Sequence, residues 1–339
     1  MPEHGTPGPP DDIVIRLLDA GESNHVVDAI TAAYGETYDV PWCYDVTEIT
    51  RRIAHGQLVS AAAFAPDGDL LCHAARTRHS HDDQVVHAGQ AVSLPAARGH
   101  HLFTRVKAHL AEWAAARGIL GIYSEATAAH PYSQQANLDL GANESGVLLA
   151  WIPATVNNDA SVMAAPHRAS VVLFYLSTNR APAHPVFAPP SQHDVVRLLV
   201  DRCGFRGGLA AASRRFTPPT HTKIHTTRDV HHNLSELRVT EAGADLGEVA
   251  TVARDREFAR GVDVVYVDVR LDQPATELVG DDLSAAGFGF AGVFPSALHA
   301  GEILRYQALR GGVAVSAADV SVASDHGREL LGYVLQDLA

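Results

Sequence analysis

The chain has 339 residues, is 46% hydrophobic and only 19% charged, which suits a folded protein with enough chain for two domains and excludes a disordered one. Its formal charge of -13, from Asp+Glu 39 against Lys+Arg 26, repels phosphate backbones on average, so nucleic acid is not the expected partner. Cys43, Cys72 and Cys203 are too few and scattered for a disulfide framework, no apolar run is long enough to cross a bilayer, and no charged-then-apolar leader is visible; a cytoplasmic protein without a membrane partner is expected.

Residues 1–12 are polar and rich in Pro and Gly and are expected to form a loose tail. From Ser23, a good N-cap, Val26, Val27, Ile30 and Ala33 recur at helical spacing, and Thr47 to Ala54 predicts a second helix stopped by Gly56. Two apolar runs, 58–65 and 69–77, flank Pro-Asp-Gly turn chemistry and predict a hairpin, with a third strand over 85–94. Leu102, Phe103, Val106, Leu110, Trp113 and Ala114 mark an amphipathic helix that stops at Gly118. A strand over 119–126, a short helix over 131–142 with Pro131 in its first turn and Gly141 as its stop, and a strand over 146–152 follow.

Residues 153–168 break the periodicity, 168–178 returns as a strand, and the Pro-rich stretch 179–192 precedes a helix from His193 to Arg202. The domain boundary is therefore placed near residue 180, giving domains 13–180 and 181–339. Beyond it, strands are expected at 235–242, 247–254, 264–271, 287–294 and 302–309, with a helix between Pro274 and Ala286. That order, strand, helix, strand, strand, echoes the first domain, so the expected class is α+β with a degenerate second copy of the first fold.

The first helical turn after a strand and a glycine turn presents unpaired N–H groups and a positive dipole end, which suits a pyrophosphate. Residues 92–106, VSLPAARGHHLFTRV, have that form. The histidines invite a metal reading at His79/His81, His221/His225 and His231/His232, but no Cys or carboxylate stands at ligand spacing, so no metal is expected. No Walker loop, Rossmann fingerprint or nucleophile elbow is present.

The stretch from Leu94 and Pro95 through Arg98, Gly99, His100 and His101 resembles the P-x-x-R-G-x-G-L loop of the GNAT superfamily of N-acetyltransferases, with His101 where Gly or Ala is usual. Residues 122–153 are similar to a form found in bacterial two-domain GNAT proteins through Glu125, Ala126, Thr127, His130, Ser133, Gln134, Leu140, Gly141, Glu144 and Gly146. The resemblance continues in YGETYDVPWCYD, in residues 264–295 and in EILRYQAL, and so spans most of the chain. It implies a mixed, splayed central sheet flanked by helices, a second GNAT-like domain, and acyl transfer from acetyl-coenzyme A or another acyl-coenzyme A to an amine of a small molecule or peptide, of the kind used in specialised biosynthesis.

Acyl transfer to an amine needs a base for its proton and an N–H donor where the thioester carbonyl becomes negative. The resemblance places that donor near Val92, Ser93 and Leu94, the pyrophosphate at Arg98, Gly99, His100 and His101, and further donor contacts at Ser133 and Asn137. Glu125 is the first candidate base and His130 the second, and Tyr132 is the candidate acid for the leaving thiolate. Tyr38 and Gln134 are candidates for contacting the acceptor. Asn137 stands where many relatives carry a Tyr acid, which leaves two other readings open: an aminoacyl ester on tRNA as donor, against which the acidic charge argues, and a non-catalytic GNAT-like binding protein.

Overall fold

A computed structural model describes residues 12–338 apart from 79, 81, 98–99, 157–166 and 297–300. The first half runs β1 (Val14–Leu17), α1 (Asn24–Tyr34), α2 (Val46–Ala54), β2 (Leu58–Phe64), β3 (Leu70–Thr77), β4 (Val85–Ser93), α3 (Leu102–Ala116), β5 (Gly121–Thr127), α4 (Tyr132–Asp139), β6 (Asn143–Ile152) and β7 (Ala169–Ser177). A small parallel pair, β8 (His184–Val186) and β9 (Gly207–Leu209), encloses α5 (His193–Cys203). The second half runs β10 (Lys223–Asp229), β11 (Leu234–Glu241), α6 (Leu246–Ala259), β12 (Val264–Arg270), α7 (Pro274–Val279), α8 (Asp281–Ala285), β13 (Gly289–Pro295), β14 (Glu302–Leu309) and α9 (Asp325–Leu338).

Small side chains on β2 and β3 let helices close on both faces of the sheet. Ala61, Ala63, Cys72 and Ala74 receive Leu102, Val106 and Leu110 of α3, spaced to form one helical stripe. Ala62 and Ala75, pointing the other way, lie with Val26 of α1 and Ile49 of α2. The two helical layers thus follow from the strand period of two.

The main strands form one 12-stranded sheet in the order β1-β2-β3-β4-β5-β7-β6-β13-β14-β12-β11-β10. In the first half β4 runs parallel to β5, then β7 and β6 add antiparallel; in the second half β11 runs parallel to β12, then β14 and β13 add antiparallel. The same order is therefore written twice and reflected about the β6–β13 seam, where Gly146 faces Gly292. A Cβ on Gly146 would stand 2.4 Å from the Ala291 carbonyl and 2.6 Å from Gly292 Cα, so only glycine lets these two strands meet. Gln307 of β14 completes the seam, accepting from Leu149 N–H (2.9 Å) and donating to the Val147 and Phe290 carbonyls (3.3 Å each).

Four expectations change. Residues 247–254 are not a strand but the body of α6: its buried residues Leu246, Ala250 and Glu257 keep helical spacing, and a short Val/Ala run does not separate helix from strand. The helix between Pro274 and Ala286 is two pieces, α7 and α8, divided at Gly280. The edge strand β10 escapes notice because KIHTTRD is polar and exposed; it is held from one side by β11. Residue 180 falls between β7 and β8, yet one apolar cluster runs from Val85 and Phe174 through Val265 and Leu304 to Val334, so the two halves share a core. The expected loose tail, residues 1–12, lies outside the described residues up to residue 11.

Candidate active site

β4 and β5 are paired at only three positions, Val85 with Gly121, Val86 with Ile122 and His87 with Tyr123. Beyond these the strands separate, β4 continuing to Ser93 and β5 to Thr127. A bulge lies on the same stretch of β4: Gln90 has φ 50°, and the β3 register shifts between His73 and Ala75. His73 pins it. Burial pushes this imidazole down to about 4, so it is neutral, and its Nδ1–H donates to the Gln90 carbonyl (2.7 Å) while Ser60 Oγ donates to Nε2 (2.5 Å). Tyr38 holds the other side: it stacks on Tyr34 with ring centroids 4.7 Å apart, and its hydroxyl hydrogen-bonds with the Gln90 backbone.

An acid and an imidazole stand where the strands part. Glu125 Oε2 is 2.6 Å from His87 Nε2, and His87 Nδ1 is 3.3 Å from Thr77 Oγ1. The Tyr123 ring lies against His87 with centroids 5.0 Å apart. Burial pushes the Glu125 carboxyl up, but the opposing pull of His87 and of Arg305 wins, and it sits below the usual carboxylate range. Arg305 belongs to the second half. A row of cross-strand partners brings it there: Glu125, Leu173, Gly146, Gly292, Arg305 and Asp268 succeed one another across β5, β7, β6, β13, β14 and β12, and partners in a row share a face. Between the acid of one half and the cation of the other the row carries a single side chain, Leu173, whose Cδ1 lies over the two glycines. Asp268 (2.7 and 2.8 Å) and Glu236 (2.9 Å) hold Arg305 charged.

The same face carries an aromatic patch and a link between the halves. Trp151 lies against Tyr266 (5.4 Å) and His232 (5.5 Å). His232, in the turn after β10, bridges Asp229 (2.8 Å) at the end of that strand and Asp39 (2.9 Å) between α1 and α2. Burial pulls this imidazole down, but its two carboxylate partners outweigh that and raise it to about 9.

Several expected site residues take other positions. Leu94 N–H donates to the Leu71 carbonyl (3.0 Å), so it does not face the gap. By the alternation of an antiparallel ladder Val92, opposite His73, turns its N–H the same way, and Ser93 alone of the three presents its N–H to the opening. Gln134 is fully buried and committed: it donates to the Thr127 (3.0 Å) and Ser321 (2.8 Å) carbonyls and accepts from Ala323 N–H (3.0 Å). It ties α4 to the C-terminal segment and has nothing left for an acceptor. Tyr132 is 77% exposed, at odds with a proton donor in a gap. His130 lies against the Tyr132 ring (5.1 Å), and the histidine on Glu125 is His87.

The remaining expectations fall around the gap. Arg98 and Gly99 lie outside the described residues; His100 donates its N–H to the Ala97 carbonyl (3.4 Å). His101 is exposed, has φ 54° and precedes α3, whose N-terminus receives no side-chain cap. Ser133 Oγ is buried without a hydrogen-bond partner among the described residues. Asn137 is buried, accepting from Lys107 Nζ and donating to Ser124 Oγ (3.3 Å). His87 is the partner of Glu125 that sequence inspection missed. The available signal was its place, a half-buried polar side chain between buried Val86 and Ala88 in a strand.

No family model and no curated protein matches the chain. Half of it is similar to solved acetyltransferase structures. These include the ribosomal-protein-S18-alanine N-acetyltransferase of Escherichia coli (14% identity, covering 50% of this chain and 96% of that one, TM-score 0.39). A putative acetyltransferase from Salmonella typhimurium with acetyl-CoA is another (13%, 51% and 98%, 0.40). A third is a GNAT superfamily phosphinothricin acetyltransferase from Sinorhizobium meliloti (14%, 49% and 88%, 0.39).

Proposed function

We propose that the protein is an N-acyltransferase in which the first half binds an acyl-coenzyme A in the gap between β4 and β5, and an amine on the sheet face that carries Glu125 is acylated. The observation that carries this reading is the placement of the Glu125–His87 pair at the point where two parallel strands stop pairing.

The chain's own groups fit such a donor. The uncapped N-terminus of α3 offers first-turn N–H groups and a positive dipole end to a pyrophosphate. Ser93 N–H faces the gap, where a carbonyl oxygen gaining negative charge needs a donor. The orphaned Ser133 Oγ suits an amide of the pantetheine arm. Coenzyme A supplies the activated thioester carbonyl.

Glu125 takes the proton. At 2.6 Å a proton must lie between His87 Nε2 and Glu125 Oε2, which leaves the other carboxylate oxygen to accept from the amine or from a bridging water. His87 then keeps the carboxylate oriented, and the Arg305 charge keeps it ionised until it accepts. Attraction of an ammonium substrate falls to Glu125, and the half-buried Trp151 ring, backed by the fully buried Tyr266, offers its carbon skeleton an apolar face.

Isothermal titration with acetyl-, butyryl- and succinyl-coenzyme A tests the reading. We expect binding of at least one thioester; a chain that binds none of them is not an acyltransferase of this kind.

A further inference from the structure

Gln90 stands at a place that suits glycine. Its φ of 50° lies in the left-handed region, which a residue with a side chain rarely adopts. The backbone is fastened from the side of α1 and α2, where His73 Nδ1–H donates to the carbonyl (2.7 Å) and the Tyr38 hydroxyl hydrogen-bonds with the backbone. The side chain has no such partner. It is 4% exposed, its Oε1 is buried without a hydrogen bond, and its Nε2 forms none among the described residues. A glycine would avoid both the backbone strain and the unpaired buried amide, so what satisfies this side chain has to come from outside the chain.

Register places the amide on the donor side of the gap. His73 pairs with Val92 and Ala75 with Gly89, so Gln90 and Ala91 stand together opposite Ala74. Ala74 and Ala91 both pack in the cluster of α3, whereas His87, opposite Thr77, shares the face of Ala75, Val26 and Ile49. The Glu125–His87 pair thus meets an acceptor on the α1–α2 face, and Gln90 meets a donor on the side of α3. Along the chain Ser93 lies between Gln90 and the start of α3. A donor with its pyrophosphate at α3 and its carbonyl on Ser93 N–H therefore presents its acyl group, not its pantetheine arm, to Gln90. Three residues span at most about 10 Å of strand, which the Gln90 side chain itself shortens, so a substituent on the first carbons beyond the carbonyl is within reach.

The chemistry of the amide says which substituent. A glutamine offers two N–H donors and one carbonyl acceptor in a single group. A carboxylate only accepts and an ammonium only donates, and each would leave one end of the buried amide unpaired; a hydroxyl does both with one atom. We infer that the acyl group transferred carries a hydroxyl close to its thioester carbonyl, and that Gln90 selects it. The inference rests on the acyl-transfer reading and names the donor class for it.

Binding constants for matched pairs of thioesters test it: 3-hydroxybutyryl- against butyryl-coenzyme A, and lactoyl- against propionyl-coenzyme A. A buried amide that a plain chain leaves unpaired predicts that the hydroxylated member of at least one pair binds about tenfold tighter or more. In Gln90→Leu, which keeps the bulk and removes the amide, and in Gln90→Gly, which also frees the backbone, that ratio should fall to about one. Neither variant breaks a hydrogen bond of the side chain, so both are expected to fold; should one fail, the other decides. A wild-type ratio near one for both pairs, or a preference that persists in the variants, overturns the inference and leaves acyl transfer standing. Absence of binding for every thioester overturns both.

Discussion

The two halves share a strand order and differ at the same register. In the first, β4 and β5 part after three pairs; in the second, β11 and β12 stay paired for five, from Leu234 with Val264 to Arg238 with Asp268. Glu125 of β5 faces Leu173 across the antiparallel pair, and the equivalent Asp268 of β12 faces Arg305. An acid opposite leucine keeps a titratable neighbour, His87; an acid opposite arginine is locked into an ion pair. The helix starts diverge as well. No acid stands in the first turn of α3, whereas α6 begins at Asp245 and Glu248, with the Asp245 carboxylate already accepting from Thr222 N–H (2.6 Å). One topology therefore makes a gap beside an uncapped helix start in one copy and a closed, ion-paired sheet in the other, through a handful of side chains.

The sharpest way to break that comparison is a pair of matched substitutions. Glu125→Gln should lower thiol release from a bound thioester in the presence of an amine by about 10²- to 10⁴-fold, the range of a general base, while Asp268→Asn should leave it within about threefold. Equal losses in the two variants would mean that the halves do not divide the work as described.

Stability should show the opposite ranking. Arg305→Met removes the cation between Asp268 and Glu236 and leaves the buried Asp268 carboxylate without its partner, so the urea unfolding free energy should drop by about 3–5 kcal/mol. A drop below 1 kcal/mol would show that the triad is not what closes the second half.

The seam is the next target. In Gly146→Ala the new Cβ would meet backbone of β13, not a movable side chain, so the strands must shift; a loss of about 2–3 kcal/mol is expected, measured as a urea midpoint at constant slope.

The smallest effect concerns His232, which joins the turn after β10 to the α1–α2 loop. Its folded value, about 9, lies above the ordinary 6.5, so its contribution is complete below pH 6.5, declines as pH rises, and is gone above about 9. Because Asp229 is 39% exposed, solvent screening reduces it to about 2 kcal/mol. Urea midpoints at pH 6 and pH 9.5 should therefore differ more in the wild type than in His232→Asn; an equal difference would remove the linkage.

Sequence by itself determined the local parts. The Ala-rich hairpin, the stripe of α3 and Glu125 near a strand end are all short-range signals, set by side-chain periods of two and 3.6 and by turn chemistry. The same local character explains the failures at 247–254, where Val and Ala satisfy either period, and at β10, whose edge position leaves it no apolar signature. What tertiary structure alone decided is every pairing that depends on a crossover. His87 meets Glu125 from 38 residues away because α3 returns the chain to a parallel register, and Arg305 approaches it from the far half because two glycines let β6 and β13 join. Gln134 looked like a site residue until residues 321–323 returned to occupy it, and the bulge at Gln90 exists only where β3 and β4 shift register. Local propensity acts over a few bonds, while registers between distant strands are chosen by the packing of the whole sheet, and this site is built from such registers.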